Sequence, residues 1–273
     1  MSGTRAESGE RPVDLAVVTG ATGGIGAAAC AALSESGHAV LAHYGTRTDR
    51  ARELQRSVEA QGGRCHLVSS DLGTDEGVGT VVRRVRQLLE QQYPRYRLRV
   101  LVNNAAKLLS PSFADTAPGD FDAYFAVNAK APFFLSQQLV ELMPAGGSVV
   151  NLSSASAHFS SPGDIAYAMS KAAIESLTKN MAEAVAARGI RVNAVIPGFT
   201  QNGHPGFEIP AVLEYMSSFS VLGGVSEPET VAAAIAFLAS DAAKRTTGAL
   251  LDVTGGSILG ARGSRAHSMK DLL

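Results

Sequence analysis

A chain of 273 residues with a formal net charge of −1 and 18% charged residues is long enough to bury a full α/β core as one domain. It carries no field that would gather nucleic acid or an anionic membrane, so the expected partner is a small molecule. Cys30 and Cys65 fall in an apolar helical segment and an apolar strand segment, where a reduced thiol packs as a small hydrophobe; this pattern suggests a reducing, cytoplasmic setting and offers no metal-ligand cluster.

Residues 1–12 are polar and contain Gly and Ser, which predicts a loose tail. The uncharged stretch 15–34 has the length of a membrane span or signal sequence, but its four glycines and strand-turn-helix grammar argue against both. Its strand, residues 13–19, leads into Thr19-Gly20-Ala21-Thr22-Gly23-Gly24-Ile25-Gly26. Glycines there permit a tight turn and a close approach of backbone to a pyrophosphate, held by the positive end of the following helix. The plainer alternative is a glycine-rich turn without function. No Gly-Lys-Ser/Thr follows, which excludes a Walker-type loop.

Further apolar runs at 39–44, 66–69, 98–103, 148–153, 192–196 and 250–253 bring the expected strands to seven. Their hydrophobicity is continuous rather than alternating, as in strands buried on both faces, and the helical patterns between them supply parallel crossovers. The expected fold is a single-domain, doubly wound parallel sheet of about seven strands with helices on both faces, Rossmann-like, over residues 13–260, followed by a C-terminal extension, 261–273. Arg83, Arg84, Arg86, Arg95, Arg97 and Arg99 read as a solvated face, with docking of an acidic partner as the alternative. Residues 198–227 form one long irregular region.

Cofactor choice in such folds is read just after the second strand, where an acidic side chain would accept hydrogen bonds from the ribose of NAD. The segment here is His43-Tyr44-Gly45-Thr46-Arg47-Thr48, with no acid. Tyr44, Thr46 and Arg47 could instead bind a 2′-phosphate, so NADPH is expected over NADH; Arg47 could equally be an exposed helix-start residue. Tyr167 and Lys171, at i and i+4, share a helical face. A fixed cation there would make a phenol of ordinary pKa near ~10 a stronger acid. On the same helix Ala166, Ala173, Ile174, Leu177, Met181 and Val185 form an apolar stripe, either core or helix-packing interface.

Taken together, the chain resembles the short-chain dehydrogenase/reductase family. Its Gly motif fits Thr-Gly-x-x-x-Gly-x-Gly, and six further segments follow in order: Asp71-Leu72, Asn103-Asn104-Ala105, Asn128, Ser154 thirteen residues before Tyr167, Pro197-Gly198, and Leu251-Asp252-Val253-Thr254-Gly255-Gly256. Each also has a bland reading: Asp71 could begin a turn or cap a helix, Asn103 could tie strands, and Asn128 could satisfy a helix irregularity near Pro132. Two departures stand out, Ala106 in place of a usual Gly and Asn202 in place of a usual Thr. Gly23 also lacks the Arg or Lys that NADP-using relatives often carry there.

The resemblance implies an NADPH-dependent reductase. Tyr167 would protonate the carbonyl oxygen and Ser154 would orient it. Lys171 would hold the nicotinamide ribose and lower the Tyr167 pKa, while Asn128 would place a water that reconnects Lys171 to solvent. Cofactor contacts would come from Thr19, Gly20, Thr22, Gly24, Ile25, Gly26, Tyr44, Thr46, Arg47, Asp71, Leu72, Asn104, Ala105, Ala106, Tyr167, Lys171, Pro197, Gly198 and Thr200. Alternatives are an oxidative alcohol dehydrogenase, a 3-oxoacyl thioester reductase of the same family, or a non-catalytic cofactor-binding regulatory protein.

The substrate pocket is expected between residues 105–109, 156–164 and 198–222, the last rich in apolar side chains, with His204, His158 and Lys107 as polar groups. That suits a bulky, largely apolar ketone, such as a polyketide or other secondary-metabolite intermediate. Residues 141–147 offer no cation for an acidic carrier protein. A homotetramer is expected through the apolar stripe of the Tyr167 helix and the region of the last strand.

Overall fold

The computed structural model describes residues 11–91, 95–108, 111–160, 162–203 and 205–259. Seven parallel strands, β1 (Val13–Val18), β2 (Ala39–Tyr44), β3 (Arg64–Ser69), β4 (Tyr96–Asn103), β5 (Ser148–Leu152), β6 (Arg191–Pro197) and β7 (Leu250–Val253), lie in the order β3-β2-β1-β4-β5-β6-β7. The chain winds outward from β1 in one direction through β2 and β3, then returns to its other edge with β4. Ligands of such sheets bind beyond the carboxyl ends of the strands at this reversal.

Side chains alternate between two buried layers, Leu15 and Val17 entering one while Ala16 and Val18 enter the other. The first layer is closed by α3 (Asp75–Leu89), α5 (Ala131–Val140) and α6 (Ile165–Ala184), through Val78, Val81, Val85, Leu135, Leu139 and Met181. The second is closed by α1 (Gly24–Glu35) and α8 (Pro228–Ala239), through Ala29, Cys30, Leu33, Val231, Ile235 and Leu238, with Val58 of α2 (Thr48–Ala60) at its margin. Burial of these aliphatic groups from both sides explains the unbroken apolar runs. Both cysteines are buried free thiols, and burial raises the pKa of each.

The fold refines several expectations. Most of the stripe on α6 faces this chain's own core: Ala166, Ile174, Met181 and Val185 are buried, Leu177 packs half-buried against the cluster that holds Met181 and Val185, and Ala173 is half-buried. Residues 198–227 are not wholly irregular, since they hold a 3-10 turn, Pro205–Glu208, and a helix, α7 (Pro210–Ser217); proline at the first helical position starts α7. The arginines do face solvent, Arg83, Arg86, Arg95 and Arg97 being exposed, and three of them are paired: Arg83 with Glu76, Arg97 with Asp14, and Arg99 with Asp241. The fold also brings cations to the turn before β5, where Arg99 donates to the Ala145 carbonyl at 3.1 Å and Arg188 bonds Glu141 at 2.5 Å, although carboxylates already engage both. The expected tail lies outside the described residues up to residue 10, as does the extension 261–273. Among the described residues no helix is long and apolar enough to cross a membrane.

Candidate active site

The glycine turn is held by backbone geometry. Gly20 has φ +65°, and a Cβ there would lie 2.8 Å from the Cα of Ala105. A Cβ on Gly26 would lie 2.3 Å from the Gly20 carbonyl oxygen. Only hydrogen fits at either position. The buried Thr19 hydroxyl accepts from the backbone N–H of Asn104 (2.9 Å) and Ala105 (3.0 Å), while the Asn104 amide donates to the carbonyls of Thr19 (2.8 Å) and Gly20 (3.1 Å). These bonds weld the ends of β1 and β4 together. Ala106 follows, half-buried.

One residue that sequence reasoning missed completes this end of the sheet. His43 is buried; its Nδ1 accepts from the Gly20 N–H at 3.3 Å and its Nε2 donates to the Ser70 carbonyl at 3.1 Å. These partners select the Nε2–H tautomer, and burial lowers the imidazole pKa.

The helix that follows the turn begins bare. Its N-cap, Gly23, has no capping side chain, and no acid lies in the first turn. The N–H groups of Gly24, Ile25 and Gly26, at its first three positions, have no acceptor inside the helix, whose first bond runs from Ala27 to Gly23. By contrast α3 is capped by Thr74 and carries Asp75 and Glu76 in its first turn. Free N–H groups at the positive end of a helix fit a diphosphate. Thr22 is buried and Ile25 half-buried beside them.

Tyr44 ends β2, and Thr46 and Arg47 follow it, both exposed, with Arg47 at the N-cap of α2. After β3, Leu72 is buried and the exposed Asp71 begins a turn, its Oδ1 accepting from the Gly73 N–H at 2.9 Å. At the end of β6, Pro197 is buried, and the Thr200 hydroxyl donates to the Gly198 carbonyl at 3.1 Å. All these residues lie at the carboxyl edge of the sheet.

Ser154 stands just past β5 in extended conformation and opens a 3-10 turn, Ala155–Ala157. Its Oγ accepts from the Ser156 N–H (3.3 Å) and hydroxyl (3.0 Å). Tyr167 reaches it from the first turn of α6 and hydrogen-bonds it. Burial pushes the Tyr167 phenol up to about 12, against the lowering effect of the Ser154 bond. The Lys171 ammonium lies 5.6 Å from the Tyr167 ring centroid and donates to the Leu152 carbonyl at 2.8 Å; burial brings it down to about 8. Spacing puts the two side chains on one face, but desolvation there disfavours both charges.

Asn128 lies within a π-turn, Ala126–Lys130, between α4 (Pro118–Phe125) and α5. Its Oδ1 accepts from the Lys107 N–H (2.7 Å), and its amide donates to the Lys107 carbonyl (3.1 Å) and to the Ser170 hydroxyl (3.0 Å). Ser170, also missed from sequence, joins Asn128 to α6. Asn103, buried one strand away, donates to Asn151 at 2.8 Å and so ties β4 to β5.

Two of the expected pocket walls meet in an aromatic cluster. Phe219 is surrounded by Phe159, Phe199 and Tyr215, with ring centroids 5.4, 5.3 and 5.2 Å away. His158 turns to Glu175, and Lys107 sets its ammonium 5.4 Å over the Tyr124 ring. His204 and Leu109 lie outside the described residues.

The profile of the family described as Enoyl-(Acyl carrier protein) reductase matches residues 20–257. The angucycline C-6 ketoreductase LanV, solved with bound NADP, superposes with a TM-score of 0.87 and 40% identity over 90% of this chain and 96% of its own. The promiscuous reductase LugOII, described as catalysing keto-reduction at C1 during lugdunomycin biosynthesis, gives a TM-score of 0.87 and 38% identity over 90% and 98%. The hydroxynaphthalene reductase-like protein Arp2 of Metarhizium majus is 29% identical over 93% of this chain and 99% of its own. The chain belongs to the short-chain dehydrogenase/reductase family. It is an NAD(P)-dependent oxidoreductase, a reductase that uses a nicotinamide cofactor.

Proposed function

We propose that this enzyme uses NADPH to reduce a ketone on a bulky, largely apolar, fused-ring molecule such as a polyketide intermediate. The observation that carries the reading is the Phe219 cluster, which draws the segments after Ser154 and after β6 into one aromatic wall. Such a wall binds flat apolar ligands by area and leaves orientation to a few polar groups. The descriptions of LanV, LugOII and Arp2 support it. The nicotinamide, when bound, supplies hydride to the carbonyl carbon. Tyr167 gives its phenolic proton to the carbonyl oxygen, and Ser154 holds that oxygen by a hydrogen bond. Lys171 holds the cofactor ribose and faces the phenol; Asn128 places a water linking Lys171 to solvent. Gly24, Ile25 and Gly26 hold the diphosphate, with the remaining cofactor contacts as set out from the sequence.

The test compares specificity constants for fused-ring ketones with those for β-ketoacyl carrier-protein thioesters. A preference for the ring ketones is expected. A preference of about tenfold or more for the thioesters, equivalent to ~1.4 kcal/mol of transition-state binding, overturns the substrate assignment.

NADPH preference rests on Arg47, exposed at the start of α2 with no acid beside Tyr44 or Thr46. Arg47→Ala is expected to weaken NADPH about tenfold or more while leaving NADH nearly unchanged, since only the former carries a 2′-phosphate. Equal losses in a binding titration place Arg47 outside the phosphate site. We propose a homotetramer in a cytoplasmic setting. Exposed apolar groups available for such contacts include Phe133 and Phe134 of α5, Met169 of α6, and Phe237 with Leu259 near β7.

A further inference from the structure

We propose that Glu175 is a positioning residue whose carboxylate clamps the turn bearing Ser154 onto the helix bearing Tyr167 and Lys171. The proposal rests on the roles given above to Ser154 and Tyr167. Glu175 lies one helical turn beyond Lys171, on the same face of α6. Its Oε1 accepts from the Ser153 hydroxyl at 2.6 Å and bonds His158 Nε2 at 2.7 Å. Ser153 and His158 bracket Ser154 and the 3-10 turn it opens, so one oxygen holds both ends of that turn.

Within the turn the bonds are local: Ala157 N–H to the Ser154 carbonyl (3.1 Å) and His158 N–H to the Ala155 carbonyl (2.9 Å). They shape it without placing it against α6. The clamp supplies that placement. Ser153 is buried, and the Glu175 side chain keeps only 12% of its exposure, so water competes weakly for the carboxylate. Bonds to an ionised acceptor are short and strong, and Ser153 adds a longer contact to the Lys171 carbonyl at 3.4 Å. Beyond His158, Phe159 packs on Phe219, so the same turn joins the α6 clamp to the aromatic wall. Loss of the carboxylate frees the turn to shift relative to α6. The Ser154–Tyr167 bond, whose partners sit on those two elements, is the interaction that then loosens.

The test uses the full-length enzyme with NADPH and its ketone. Misplacement of a reacting group by about 1 Å can cost up to about a hundredfold, so Glu175→Ala is expected to lower kcat at least about tenfold, with KM and NADPH affinity within about twofold. Glu175→Gln is expected to restore kcat to within about threefold, because its amide oxygen can accept from both Ser153 and His158. Ser153→Ala, which removes one arm, is expected to fall between them. In a Ser154→Ala background, Glu175→Ala is expected to cost nothing further.

Unchanged kcat in Glu175→Ala, equal losses in the Ala and Gln variants, or a full additional loss on top of Ser154→Ala each overturn the proposal. A parallel fall in melting temperature, NADPH affinity and kcat also overturns it, as that marks a merely structural role. If Glu175→Ala is silent while Tyr167→Phe is inactive, the clamp fails and the catalytic reading stands. If Tyr167→Phe remains active, the catalytic reading fails and takes the clamp with it.

Discussion

Tyr167→Phe is expected to reduce ketone turnover by at least about a hundredfold, the scale of a lost general acid, while NADPH binding stays nearly intact. The substitution removes one hydroxyl and leaves the ring that lies near Lys171. With the phenol held up to about 12, Tyr167 keeps its proton throughout the neutral range. That suits donation to a carbonyl oxygen gaining an electron pair, the chemistry of reduction. Steady-state rates and a cofactor titration on the same preparation check the split. Turnover within a few-fold of the parent would take the donor role away from Tyr167.

Lys171→Met is expected to abolish most activity and yet raise stability at neutral pH. A fall from 10.5 to about 8 on burial corresponds to about 3 kcal/mol of cost for holding the ammonium inside the protein. Methionine escapes that cost but leaves the Leu152 carbonyl without its Lys171 donor, a loss of roughly 1–2 kcal/mol. The net gain of about 1–2 kcal/mol should raise Tm by several degrees in a domain of this size.

The pH dependence fixes the sign. Between pH 8 and 10.5 the unfolded chain binds more protons at this lysine than the folded one, so this contribution to parental stability grows as pH rises through that window. The advantage of Met over Lys should therefore shrink from pH 7 towards pH 10. Thermal melts at both values measure it, and a variant less stable than the parent at pH 7 contradicts the assigned burial cost.

Much of this architecture was legible from sequence because burial on both faces leaves unbroken apolar runs. The edges were less legible. The reading began β4 at Leu98, whereas pairing starts at Tyr96, where Asp14 faces Arg97 across the strands and their ion pair permits polar residues in the ladder. It began β3 at His66, yet Arg64 pairs with Ala39 from an exposed position. In the site, Tyr167 and Lys171 were readable as neighbours because helical spacing is local. Their electrostatics were not, because the local dielectric depends on β5 and the turns packed around them. His43, Ser170 and Glu175 gave no signal, since each acts through partners 17 to 42 residues away.

The π-turn around Asn128 makes chain length itself a specification. An α-helix advances about 100° per residue, and a π-turn is such a helix with one residue more than its hydrogen bonds require. Deleting any one of Ala126–Lys130 would let the segment close into regular α-helix, with every bond made. The result would be locally more regular and would lack the bulge. The helices on either side already keep nearly the phase of a regular helix one residue shorter, so they would stay in place, while the outward turn that carries the Asn128 amide to Lys107 and to Ser170 would be lost. Substitutions at neighbouring positions leave the bulge in place, so the segment should accept changes of residue far more readily than changes of length.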